Sequence, residues 1–128
     1  MKLRIRGNSI RFRLTKEEVA SFGTIGNVED VIAFGVGTEN ELRYRLETSA
    51  QGDAVNADFG NGRINLQIPQ AIASRWTATE EVGIEAVQDI GDEKQLRILV
   101  EKDFACLKPR IGEDESDSFP NPLGSEMC

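Results

Sequence analysis

The chain contains one pattern of apolar and turn residues twice, in two copies that lie 54 residues apart and align without a gap. Ile10 aligns with Ile64, Val28 with Val82, and between residues 10–47 and 64–101 seven of 38 positions are identical. Apolar positions match apolar positions, and turn positions match turn positions. Because a repeat constrains the architecture more strongly than any local signal, this pattern predicts one domain made of two similar halves.

We expect a single domain over residues 1–128, with a first repeat at 1–52, a second at 53–106 and an acidic, proline-containing tail at 107–128. Each repeat is predicted to run strand, strand, helix, strand, strand. Eight mainly antiparallel strands bury their apolar faces only in a sandwich or a partly open barrel. The predicted fold is therefore α+β, with a pseudo-twofold arrangement of the halves and two short helices.

Alternating apolar and polar residues predict which side chains face the core. Thr15 with Glu18 is typical of a capping box at the start of the first helix, Gly23 is expected to end it, and Pro69 is expected to open the second. Arg11 and Arg13 are predicted to point outward. The predicted core comprises Ile10, Phe12, Leu14, Leu42, Ile64, Leu66, Ile68, Leu96 and Val100.

Charge is distributed unevenly in a chain whose net charge is −7. The first 16 residues carry six cations and no acid, whereas all 22 acids follow. The overall charge argues against general nucleic-acid binding, and no apolar run is long enough to suggest a membrane partner. The opening residues alternate charged and apolar side chains instead of forming a signal sequence, so we expect a cytoplasmic protein.

Arginines on the predicted strand faces form the first candidate site, a non-enzymatic surface for an anionic small molecule or an acidic protein segment. Guanidinium groups bind carboxylates and phosphates through paired hydrogen bonds. The alternative is a solvated sheet face whose arginines pair with the chain's own acids. The candidate residues are Arg4, Arg6, Arg11, Arg13, Arg43 and Arg45.

Lys102, Asp103 and Cys106 form the second candidate, a thiol-dependent enzyme or metal-handling site. A cation near a thiol favours the reactive thiolate. The alternative is a small, buried structural cysteine. The sequence contains no histidine, no glycine-rich phosphate loop and no zinc-type cysteine spacing, so we predict no catalytic residue, no metal ligand and no cofactor.

The acidic tail offers a further hypothesis. Glu113, Asp114, Glu115 and Asp117 have a charge opposite to that of the basic first hairpin. We expect the tail to lie against an arginine-bearing strand face, with Phe119 in an apolar gap, and to act there as an internal ligand.

Three segments resemble an uncharacterised bacterial family, a domain of unknown function. They are Lys2-Leu3-Arg4-Ile5-Arg6-Gly7-Asn8-Ser9-Ile10-Arg11 with Leu14-Thr15, then Glu101-Lys102-Asp103-Phe104-Ala105-Cys106-Leu107, and Phe119-Pro120-Asn121-Pro122. The resemblance implies a small cytoplasmic bacterial protein and brings no activity, cofactor or site residue.

Overall fold

The computed structural model describes residues 1–104 and 119–120, and within them the elements follow the predicted order. They are β1 (Lys2–Arg6), β2 (Ser9–Leu14), α1 (Lys16–Ile25), β3 (Asn27–Ala33), a 3₁₀ turn (Thr38–Asn40), β4 (Glu41–Ser49), β5 (Asn56–Gly60), β6 (Arg63–Pro69), α2 (Gln70–Ala78), β7 (Gly83–Gly91) and β8 (Lys94–Lys102).

The strands form two four-stranded sheets. Sheet A has the order β1-β2-β8-β7, and sheet B has the order β3-β4-β6-β5. The two sheets enclose a common core, and the helices contact one another beside the ends of β2 and β6. The predicted α+β sandwich is confirmed, and the sheets do not close into a barrel.

Each sheet takes one hairpin from each half of the chain and joins the two hairpins through a parallel pair. Phe12 of β2 lies beside Val100 of β8, and Leu46 of β4 lies beside Leu66 of β6. The remaining four pairings are antiparallel. Hairpin signals in the sequence predicted the antiparallel pairs, but the parallel pairs join segments distant along the chain and no local signal marked them.

Most of the predicted core is confirmed. Phe12, Leu14, Leu66, Ile68 and Val100 are fully buried, and Ile10 is buried beside them. Three others are only half-buried: Leu42, Ile64 and Leu96. Of these, Ile64 and Leu96 pack against the core. These three lie near the starts of β4, β6 and β8, at the end of the sandwich away from the helices, where less apolar material covers them.

Helix α1 begins with the predicted capping box, in which the Thr15 hydroxyl and the Glu18 carboxylate each accept a backbone N–H. The helix ends at Gly26, with φ of 93°, instead of at Gly23. Gly23 lies inside the helix, where a β-carbon would come within 3.2 Å of the Thr77 side chain. The absence of a side chain at Gly23 therefore allows α1 to approach α2 closely, and the sequence alone does not reveal this tertiary contact.

Side-chain contacts, not strand pairs, bridge the edges of the two sheets. On one side, the Met1 amino group donates to Asp30 of β3 at 2.7 Å and also to Glu18. On the other side, the Gln88 amide exchanges two hydrogen bonds with the backbone of Ala57, at 2.7 and 3.1 Å. These bridges fix the separation of the sheets without closing a barrel.

Candidate functional site

The face of sheet A that points away from the core carries a concentration of cations. Strand register places its side chains in three rows: Lys2, Arg13, Glu101 and Gly83; Arg4, Arg11, Leu99 and Glu85; and Arg6, Ser9, Arg97 and Val87. We call these twelve residues the arginine face. It holds six cations and two acids, and four of the cations are the predicted Arg4, Arg6, Arg11 and Arg13.

A buried ion pair stands in the first row of the arginine face. Arg13 is 9 % exposed and Glu101 is 3 % exposed, and the Arg13 Nε donates to the Glu101 carboxylate at 2.5 Å. Arg11 lies 3.9 Å from the same carboxylate. Arg13 lies on the outer face as predicted, but its charge is buried there against Glu101.

The third row leaves two cations without an acid. Among the described residues, Arg6 and Arg97 form no ion pair, whereas Arg4, Arg11 and Arg13 each have a partner. Arg97 lies beside Ser9, which is next to Arg6 on the neighbouring strand. This row can therefore accept an anion without first breaking an internal ion pair.

A groove of about 490 Å³ runs along the arginine face and is lined by three residues of this row, Ser9, Arg97 and Val87. Its polar lining includes Arg11, Arg97 and Glu85, and Leu99 and Val87 supply apolar surface. Val87 is 60 % exposed. The groove thus combines cationic and apolar surface, and guanidinium groups on two adjacent strands reach it.

Arg43 and Arg45 lie on a different surface, the outer face of sheet B. These two arginines could converge with those of the first hairpin only if β4 were a neighbour of β1 or β2, and β4 belongs to the other sheet. Arg43 contacts Glu29 at 2.9 Å and Glu41 at 3.0 Å. Arg45 contacts Glu29 at 3.4 Å and Glu47 at 3.3 Å.

This network lowers the pKa of two of its acids. Hydrogen bonds from Arg43 and Arg45 outweigh the effect of partial burial and lower the pKa of Glu29. A hydrogen bond from Asn65 is the main cause of the lowered pKa of Glu47, which also accepts from Gln67 and Arg45. For Arg43 and Arg45, the alternative of a face neutralised by the chain's own acids therefore fits the geometry.

A larger depression of about 800 Å³ lies at the turn end of sheet B. Its lining includes Arg43 and Arg63, but also Glu39 and Glu41. Arg43 is already bound to Glu41 and Glu29, and the two arginines of this depression stand beside two acids, whereas the two arginines of the groove on sheet A stand beside one. We therefore place the candidate site on the arginine face despite its smaller groove.

Each outer face has a glutamate at the equivalent position of its repeat, Glu47 on sheet B and Glu101 on sheet A, 54 residues apart. Glu101 accepts from Arg13 of β2, and Glu47 accepts from Gln67 of β6, which is the residue aligned with Arg13. Asn65, aligned with Arg11, also donates to Glu47. Neutral amides on sheet B thus stand where arginines stand on sheet A, which explains why only sheet A carries excess positive charge.

The second candidate cluster is not assembled by the residues that the structure describes. Lys102 donates to the Thr79 carbonyl at 2.7 Å and lies 5.7 Å from the centre of the Trp76 ring. Asp103 instead contacts Lys2 at 3.3 Å. Lys102 and Asp103 therefore have separate partners, and Cys106 lies outside the described residues. Within residues 1–104 and 119–120, no three metal-binding side chains form a group.

Sequence reasoning missed the contribution of β7 and β8 to the site. Arg97 is visible as the counterpart of Arg43 in the repeat, but its neighbours were not predictable. Only the parallel pairing of β2 with β8 brings Arg97 beside Ser9, and the β7–β8 hairpin adds Glu85 and Val87 to the same face. The charged part of the tail, residues 113–117, lies outside the described residues, so its contact with the arginine face stays a prediction. The predicted docking of Phe119 in an apolar gap was wrong, because Phe119 is 96 % exposed.

Comparison with known proteins gives one match. Residues 1–123 match the model of a family described as a family of unknown function, DUF7009. No curated protein and no solved structure matches the chain. Among the described residues, no helix has the length and apolar character needed to cross a membrane.

Proposed function

Because the chain belongs to DUF7009, a family of unknown function, we propose its role from geometry alone: it is a non-enzymatic binding or accessory protein whose arginine face takes an anionic ligand. The observation that carries this proposal is the imbalance of six cations and two acids on one face, with Arg6 and Arg97 unpaired among the described residues. Guanidinium groups in this arrangement suit carboxylate or phosphate groups.

The contrast with sheet B supports the assignment to one face. Both outer faces carry arginines, but Arg43 and Arg45 of sheet B are held by Glu29, Glu41 and Glu47, which leaves Arg63 as the one arginine of that face without an ion pair among the described residues. An anion arriving at Arg43 or Arg45 competes with contacts already made. On the arginine face it meets charge that the described residues leave unpaired in the third row.

We also propose that the two halves are copies of one ancestral unit, and that the protein is bacterial and cytoplasmic. The repeat is supported by equivalent strand orders in the two sheets. It is further supported by the parallel pairs Ser9–Arg97 and Arg63–Arg43, which join positions related by the same offset of 54. The bacterial and cytoplasmic origin has its support in the sequence resemblance.

Binding to the arginine face is tested by titrating the isotopically labelled full chain with tripolyphosphate while following backbone amide signals. We expect the shifted amides to cluster around Arg6, Ser9 and Arg97, and the shifts to shrink as salt is added, because exposed charges are screened. Shifts centred on Arg43 and Arg63, or no saturable shifts, would overturn the proposal.

A further inference from the structure

Resting on the function proposed above, the geometry points to a specific class of ligand: an extended peptide segment with acidic side chains at alternate positions and an apolar side chain among them. The arginine face would bind this segment along the direction of β2 and β8, over the groove that contains Arg11, Arg97, Leu99 and Val87.

The first support is the spacing of the rows. Ser9 and Arg97 share one row, and Arg11 and Leu99 share the next, two residues further along each strand. Alternate residues of a strand are about 6.7 Å apart. An extended peptide lying along the strands presents every second side chain toward the sheet at the same interval. Acidic side chains at alternate positions therefore reach the consecutive rows that hold Arg97 and Arg11, which lie on adjacent strands.

The second support is the apolar surface between the charges. Leu99 lies next to Arg11, and Val87 lies next to Arg97, each on the neighbouring strand. Val87 is 60 % exposed, so an apolar side chain of the ligand can cover it. A free phosphate or a small polyanion makes no use of this surface, whereas a peptide with mixed side chains does.

The third support is an argument against a nucleic acid as the ligand, because a nucleic acid carries a negative charge on every nucleotide. Glu85 is exposed on the same face as the cations and repels a continuous run of phosphates. The chain as a whole carries a net charge of −7. A peptide avoids this repulsion by placing a neutral or apolar side chain opposite Glu85.

The test compares two fluorescent peptides of identical composition in binding to the full chain. In the first peptide, Glu-Ser-Glu-Ser-Leu-Ser-Glu-Ser, an extended backbone places all three glutamates and the leucine on one face. In the second peptide, Glu-Glu-Glu-Leu-Ser-Ser-Ser-Ser, an extended backbone divides these four side chains between the two faces. We expect the first peptide to bind about tenfold more tightly than the second. Val87→Thr, which keeps the shape of the side chain, should reduce the affinity for the first peptide about threefold and reduce the affinity for tripolyphosphate less.

Val36→Thr is the matched control, since Val36 is 96 % exposed and lies on the loop after β3. It should leave peptide binding unchanged. Equal affinity for the two peptides, or Val87→Thr without effect, overturns the peptide inference while tripolyphosphate binding still upholds the proposed anion site. Tighter binding of a single-stranded oligonucleotide than of either peptide overturns the inference in favour of nucleic acid. If no anion produces amide shifts on the arginine face, the proposed function itself fails.

Discussion

Arg13 and Glu101 show how one buried pair organises the arginine face. The pair spans β2 and β8, and both residues are almost fully buried although they lie on the side of the sheet away from the core. A buried charge without its partner is costly because neither water nor a counter-ion compensates it. The pair joins β2 to β8, the parallel strands that bring Arg11 and Arg97 to the groove.

At this scale we predict that Glu101→Ala lowers the free energy of unfolding by about 3–5 kcal/mol, the usual effect of removing one partner of a buried ion pair. Urea unfolding followed by circular dichroism measures the change. Glu85→Ala is the control, because Glu85 is exposed on the same face and forms no ion pair with the described residues. Equal losses for both variants would show that the Arg13–Glu101 pair has no special role.

At the scale of elements, the outer face of sheet B is a network that depends on ionised acids. The pKa of Glu47 is lowered chiefly by the hydrogen bond from Asn65, with further contributions from Gln67 and Arg45. A lowered folded-state pKa means that the stabilisation is present above the ordinary glutamate pKa of about 4.3 and is lost as pH falls through the folded value.

We therefore predict that Glu47→Gln is less stable than the parent protein at neutral pH, by less than about 1 kcal/mol because the network is partly exposed. The difference should shrink at an acidic pH below the lowered folded-state pKa of Glu47, because the carboxylate is then protonated. Urea unfolding at both pH values measures it, with Asp58→Asn on the same face as a control that changes stability little. A difference that does not vary with pH would contradict the assignment.

At the scale of elements, the sequence predicted the individual strands but not which distant strands pair. Alternation identified the strands and most of the core, because period two is a property of each strand by itself. It placed Arg4, Arg6, Arg11 and Arg13 on one face. It did not separate this face from Arg43 and Arg45, and it missed Arg97, because strand pairing between distant segments has no local signature. The burial of Arg13 depends on the same distant partner.

At the scale of the whole molecule, the two halves are interlocked. Each sheet combines a hairpin from residues 1–52 with a hairpin from residues 53–104, and the parallel pairs join them. A half by itself would hold two hairpins that lack neighbours, and isolated hairpins are marginally stable in water.

We predict that fragments 1–52 and 53–128 are each unfolded alone and form the native sandwich when mixed. Amide spectra of each fragment and of the equimolar mixture measure this, and the intact chain provides the reference spectrum. A well-dispersed spectrum from either fragment alone would show that a half folds independently, contrary to the interlocked pairing.

The sequence-based hypothesis for the tail gives another prediction at this scale. If residues 112–128 compete for the arginine face, deleting them should leave the fold intact and raise the affinity for acidic peptides and polyanions. The gain should be strongly sensitive to salt. Fluorescence anisotropy on the full and shortened chains measures the effect. Unchanged affinity after deletion would refute the role of the tail as an internal ligand.

The most direct test of the central claim, that anions bind the arginine face of sheet A and not sheet B, compares Arg97→Gln with Arg63→Gln. Both arginines are exposed strand residues without an ion pair among the described residues, and each variant removes one charge. Isothermal titration with tripolyphosphate should show affinity reduced up to about fivefold for Arg97→Gln, as expected for an exposed charge contact, and unchanged for Arg63→Gln. Equal reductions in both variants, or a reduction only in Arg63→Gln, would contradict the claim.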